Sequence, residues 1–140
     1  MADNDNLAVM RRYYDEVVNK GDYSVVDEIF TADYHSHHND PIGLPPGPEG
    51  VKQFIGGTRA GFPDLELTLD DLFGDGDLVA SRWTLKGTHT EEWFGTPATG
   101  KTAEWAGVVL SRFEDGKIAE EWFNFDQLRL LQQLGIIPSE

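Results

Sequence analysis

Two hydrophobic periods divide the chain. From Asn6 to Lys20 the apolar residues Leu7, Met10, Tyr14 and Val17, with Val18 beside them, recur at the spacing of one helix face. Asn4 or Asp5 can cap its start, and Gly21 stops it. A second, short helix is predicted from Ser24 to Phe30, with Val25, Val26, Ile29 and Phe30 apolar. Tyr34 to Asp40 is polar and extended, and the breakers from Pro41 to Gly47 make a loop. Pro48 sits where a first helical residue belongs. Val51, Phe54, Ile55, Thr58 and Phe62 then trace one face of a third helix, ended by Pro63.

From Leu65 the period changes to that of strands. Leu65, Leu67 and Leu69 alternate with Glu66, Thr68 and Asp70, and Gly74-Asp75-Gly76-Asp77 is a hairpin turn. Leu78 to His89 is a long strand with Val79, Ser81, Trp83 and Leu85 on one face. Gly95 to Lys101 is a loop, Thr102 to Phe113 a strand, Glu114-Asp115-Gly116 a tight turn and Lys117 to Phe125 the last strand. Asp126 caps a closing helix carrying Leu128, Leu130, Leu131 and Leu134. Helices first and an antiparallel meander second is an α+β layer architecture. Without repeat or linker, residues 1–140 read as a single domain.

Composition narrows the partners. Hydrophobic residues make up 39% and aromatics 11%, enough for a core and for a pocket that takes a flat organic ligand. The net charge is 11 − 25 = −14, a field that repels phosphate backbones and anionic lipids, so neither nucleic acid nor membrane is expected. Cysteine is absent, which excludes thiolate chemistry. The polar, acidic start and the lack of any long apolar run point to a cytoplasmic protein.

Strand alternation puts Glu121, Phe123 and Phe125 on one face of the last strand and Trp122 and Asn124 on the other. A carboxylate between aromatic walls has a raised pKa and can serve as general base or acid near neutral pH. The competing reading places Glu121 at the rim, solvated or paired with Arg82. Trp83 and Trp105 share an inward face and can pave a pocket or simply pack the core. One of Tyr13 and Tyr14 should be buried. Asp126 is a helix cap that can also reach the cavity mouth. His35, His37 and His38 are neutral-pH titrators. A metal would join His35 and His37 with Asp40 or Glu121. His89 reads as structural, and Trp93 with Phe94 as a lid or subunit contact. No phosphate-binding loop or nucleophile elbow is present.

Several strings in this order resemble the SnoaL-like polyketide cyclases of the nuclear transport factor 2-like superfamily. They include Tyr13-Tyr14 with Val17-Val18-Asn19-Lys20-Gly21, His38-Asn39, Gly47-Pro48-Glu49-Gly50-Val51-Lys52-Gln53-Phe54 and Phe62-Pro63-Asp64-Leu65. Arg82-Trp83, Gly87-Thr88-His89, Gly95-Thr96-Pro97-Ala98-Thr99-Gly100-Lys101, Phe113-Glu114-Asp115-Gly116-Lys117-Ile118, Glu121-Trp122 and Asp126-Gln127-Leu128 continue the match. The resemblance implies a cone-shaped, cystatin-like α+β barrel with a mixed or antiparallel sheet. It implies a ring-closing aldol addition without metal or cofactor, and pairing of copies through the outer sheet face, where Arg82, Thr84, Trp122 and Asn124 would lie. The chain departs from the pattern at the family's catalytic Asp, replaced by Phe123, and at its assisting His, near Val109. Glu121, His38 and Asp126 are therefore the candidate acids and bases. Tyr14, Trp83, Trp105, Phe123, Asn39 and Val109 are the candidate substrate contacts. A small-molecule enzyme is the leading reading, with an apolar carbonyl compound as ligand and a homodimer or higher oligomer as the assembly. The alternatives are a binding module that has lost its catalytic Asp, and epoxide hydrolysis or ketosteroid isomerisation using Arg82 with Glu121 or Asp126.

Overall fold

A computed structural model describes residues 2–37 and 43–138. The helical layer comes first: α1 (Ala2–Arg12), a wider π-helical continuation Tyr13–Asn19, a 3₁₀ turn Tyr23–Val25 and α2 (Val26–Ile29). Strand β1 (Phe30–His37) and helix α3 (Pro48–Gly61) follow. Then come β2 (Glu66–Asp75), β3 (Leu78–Thr88), β4 (Thr102–Glu114), β5 (Lys117–Phe125) and the closing α4 (Gln127–Gln133). This is the α+β architecture expected, and no described helix is long and apolar enough to cross a membrane.

The five strands form one sheet in the order β1-β5-β4-β3-β2. β2 to β5 are an antiparallel meander, whereas β1 joins β5 in parallel, so the sheet is mixed. The β4–β5 turn places Asp115 at φ 50° and Gly116 at φ 82°, the paired left-handed geometry that two-residue hairpins favour. Register shifts interrupt β2–β3 between Leu69 and Asp71, β4–β5 between Arg112 and Phe113, and β1–β5 between Phe30 and His35. Such bulges bend strands, and here they curl the sheet around the helices.

Along β4 the alternation is strict. Ala103, Trp105, Val109, Ser111 and Phe113 are buried while Glu104, Ala106, Val108 and Leu110 are exposed. The inner face packs on Met10, Tyr13, Tyr14, Val17, Ile55 and Phe62 from the helices.

Three expectations change in detail. The first helix begins at Ala2 and widens at Tyr13, and both Tyr13 and Tyr14 are buried, not one. A π turn fits more residues per turn, so two successive rings can face inward. The helix expected from Ser24 to Phe30 divides into a 3₁₀ turn and one α turn, and Phe30 already belongs to β1. The extended stretch expected from Tyr34 to Asp40 belongs, as far as His37, to a strand that already starts at Phe30, and residues 38–40 lie outside the described residues.

Candidate active site

Glu121 lies on β5 facing inward, only 1% exposed. Both carboxyl oxygens are occupied by hydroxyl donors. Tyr34 Oη donates to Oε1 at 2.9 Å and Ser111 Oγ donates to Oε2 at 2.5 Å. Tyr34 arrives from β1, whose parallel pairing sets Ser36 opposite Glu121, and its oxygen also takes a hydrogen bond from Ser36. Burial pushes the Glu121 pKa up to about 7, against the pull of the two hydroxyls, which favour the anion. The phenols of Tyr13, Tyr14 and Tyr34 are raised in turn, by burial first and then by the charge of Glu121. Tyr14 Oη donates to Ser81 Oγ at 3.0 Å on β3. Tyr13, Phe30 and Tyr34 form an edge-on aromatic chain, with ring centroids 5.2 and 4.7 Å apart.

Two hollows lie beside this network. One, of about 270 Å³, is walled by Tyr13, Tyr34, Ser36, Val51, Phe54 and Phe123, with the Leu44–Gly47 loop at its edge. A smaller one of about 70 Å³ is nearly all apolar, lined by Tyr14, Trp83, Trp93, Trp105, Phe123 and Phe125 among others. Tyr13, Phe54 and Phe123 belong to both walls, so these rings are the partition between them.

The predicted residues fall into place unevenly. Tyr14, Trp83, Trp105 and Phe123 line the cavities. Glu121 shares their face but lines neither hollow; it sits behind Tyr34, which does. Val109, opposite Phe123 in the β4–β5 register, is buried core and lines neither hollow. Asp126 is an exposed N-cap, its carboxylate accepting from the Arg129 amide at 3.0 Å. His38, Asn39 and Asp40 lie outside the described residues.

Arg82 is not the partner of Glu121. It is on the outer face, 2.7 Å from Asp71, so an arginine-carboxylate set with Glu121 or Asp126 has no arginine in the cavity. The carboxylate that meets His35 and His37 is Glu120, at 3.1 and 2.5 Å, because Glu121 points to the opposite face. His89 is fully buried, stacked on Phe62 at 5.1 Å, with Nδ1 3.1 Å from Thr99 Oγ1 and Nε2 without a partner in the described structure. Trp93 and Phe94 pack inside the chain: Trp93 walls the smaller hollow and Phe94 stacks on Phe54 at 6.2 Å.

Tyr34, Ser36 and Ser111 are the site residues that the sequence reading did not single out. Tyr34 and Ser36 alternate with His35 and His37, a period-two signal that could have found them.

The SnoaL-like polyketide cyclase family model matches residues 8–134. The chain belongs to this family. Among solved structures, TsrD from Streptomyces laurentii is 29% identical with a TM-score of 0.86, over 96% of this chain and 97% of that one. IdmH from Streptomyces antibioticus, a candidate polyketide cyclase, is 35% identical with a TM-score of 0.79, over 93% and 98%. AclR from Streptomyces galilaeus, a candidate hydroxylase, is 27% identical with a TM-score of 0.83, over 98% and 85%. No curated protein matches in sequence. The likeness to these SnoaL-like structures identifies the fold as nuclear transport factor 2-like. At the position where the resemblance implies the family's catalytic Asp, this SnoaL-like chain carries the ring of Phe123 between its two hollows.

Proposed function

We propose that this protein is a cofactor-independent enzyme that moves protons on a small apolar carbonyl compound, with Glu121 as the proton store and Tyr34 as its contact with the cavity. The observation that carries this reading is the bond from Tyr34, a wall of the 270 Å³ hollow, to a carboxyl buried in an aromatic shell. A phenol raised by burial is a poor acid by itself, so the transfer is concerted. The Tyr34 oxygen accepts a proton from the carbon beside the substrate carbonyl as its own proton passes to the Glu121 carboxylate. The substrate is left as an enolate, able to attack a second carbonyl of the same molecule, and the protons return by the reverse route. A hollow of this size, just under the roughly 300 Å³ at which ordinary ligand pockets begin, suits a one- or two-ring compound.

The test is hydrogen exchange at carbon. Small aryl ketones are incubated in D₂O with the protein, and loss of the α-proton signal is followed by NMR. Wild type should accelerate exchange, and Glu121→Gln and Tyr34→Phe should each remove roughly 10² to 10⁴-fold of it. Exchange at the wild-type rate in Glu121→Gln would eliminate Glu121 as the proton store.

A second reading, a binding module, is favoured by Phe123 at the catalytic position. Its signature is saturable ketone binding, equal in wild type and Glu121→Gln, with no exchange in either.

We also infer that copies pair through the outer sheet face. One cross-strand row, Phe73, Ala80, Leu110, Trp122 and His37, runs over all five strands. Its apolar members Phe73 and Leu110 are 66% and 37% exposed, a patch that a second copy can cover.

A further inference from the structure

We propose that His35, His37 and Glu120 form a binding site for one divalent transition-metal ion of the zinc class, on the outer face of the sheet. The site lies across the strand from Tyr34 and Ser36 and shares no hydrogen bond with the Tyr34–Glu121–Ser111 network, although His35 also borders the 270 Å³ hollow. Its construction follows from two simple rules. Residues two apart on a strand share a face, so His35 and His37 present their imidazoles together, ring centroids 4.9 Å apart. The parallel pairing of β1 with β5 then sets His35 opposite Glu120 and His37 opposite Trp122. The carboxylate thereby lands between the two rings, and one ligand atom from each of the three residues lies within 4.8 Å of the others.

The distances suit an ion. Donors at about 2.1 Å from a tetrahedral zinc stand about 3.4 Å from one another. His35 Nε2 is 3.1 Å from Glu120 Oε2, close to that spacing, and His37 Nε2, at 2.5 Å from the same oxygen, needs only to swing outward. Two imidazole nitrogens converging on one carboxylate oxygen is an arrangement that an ion placed among them satisfies with all three lone pairs. The groups are also held in position. Arg112 Nε donates to the other Glu120 oxygen, Oε1, at 2.9 Å, leaving Oε2 for the ion, and Trp122 stacks on the His37 ring at 5.1 Å and 10°. Outer contacts of this kind orient ligands in metal sites. Arg112 also pairs with Glu114, which offsets its charge beside the site.

Two imidazoles and a carboxylate select zinc, copper or nickel over magnesium and calcium, which take oxygen ligands. The half-exposed rings leave a fourth position to water, and the net charge of −14 draws cations to the surface. A bound ion would tie the edge strand β1 to β5 from outside, opposite the place where Tyr34 ties it from within.

The test is calorimetric titration of zinc into the metal-free full chain at neutral pH. One ion per chain should bind, and His35→Ala, His37→Ala and Glu120→Gln should each weaken binding at least about tenfold, as loss of a ligand or its support does. Zinc should raise the melting temperature of wild type and not of His37→Ala, and the zinc X-ray absorption spectrum should show two imidazoles. Absence of saturable binding, or binding indifferent to the His35 and His37 changes, would overturn the proposal. Circular dichroism identifies any variant that has failed to fold, and the absorption spectrum of wild type then decides by itself.

Discussion

At Glu121, burial favours the neutral acid and two hydroxyl donors favour the anion; burial wins, and the carboxyl titrates near 7 instead of near 4.5. A proton held more tightly in the fold stabilises it at low pH. This contribution is complete below about pH 4.5 and is lost as pH rises through about 7, a change of about 3 kcal/mol. Urea denaturation of wild type and Glu121→Gln at pH 4.5 and 8 should show the variant gaining by this order on the wild type at the higher pH. A stability difference that does not move with pH would mean an ordinary carboxyl. Tyr34→Phe removes one of the two hydroxyls that favour the anion, so the ¹³C titration midpoint of Glu121 should move further up. Asp126→Ala should destabilise the protein by about 1 kcal/mol, as loss of an N-cap does, and leave ketone exchange at the wild-type rate. The inward face of Glu121 was legible from alternation. Its partner Ser111 was not: counting back from the Glu114–Lys117 turn pairs Ser111 with Glu120, and only the bulge after Phe113 moves the register on to Glu121.

Among the elements, the strands of the meander were readable because each has one wet and one dry face, and the turns between them carry Gly at the required positions. Only the second half of β1, from Tyr34, was read as extended, and its first half was assigned partly to a helix. Its inner positions are few, and the chain before it winds through two different short helical turns that no single period describes. The packing of the Trp93–Phe94 loop was equally hidden, since it depends on a gap in another element. Gly57 of α3 supplies that gap: a Cβ there would stand 2.4 Å from Cζ of Phe94. Gly57→Ala should therefore force the ring away and lower stability by roughly 1–3 kcal/mol, the usual range for overpacking, despite the better helix propensity of Ala. Thermal melts decide this, and an unchanged or higher melting temperature would show that the loop does not rest on α3.

For the whole molecule, the order of helices and strands fixed the α+β class, and the charge is spread over faces that the fold leaves in water. The two hollows and their partition were beyond pattern reading, because cavity volume depends on how rings from six separate elements and the Trp93 loop meet. The pairing proposed for the outer row from Phe73 to His37 would belong to the assembled sheet, since all five strands contribute to that row. Sedimentation should give a dimer at micromolar concentration and a monomer for Phe73→Lys with Leu110→Lys; a monomeric wild type would exclude the pairing.

The parallel seam between β1 and β5 joins the first strand to be made with the last. While a ribosome is still extruding residues before Lys117, β1 has no neighbour, and Tyr34 no acceptor, because both are supplied 87 positions later along the chain. Completion of the sheet is thus a late, long-range event with a high loop-closure entropy. Nascent chains halted short of β5 should expose a strand edge, inviting aggregation or chaperone capture, and pulse proteolysis of stalled translation products would reveal the interval.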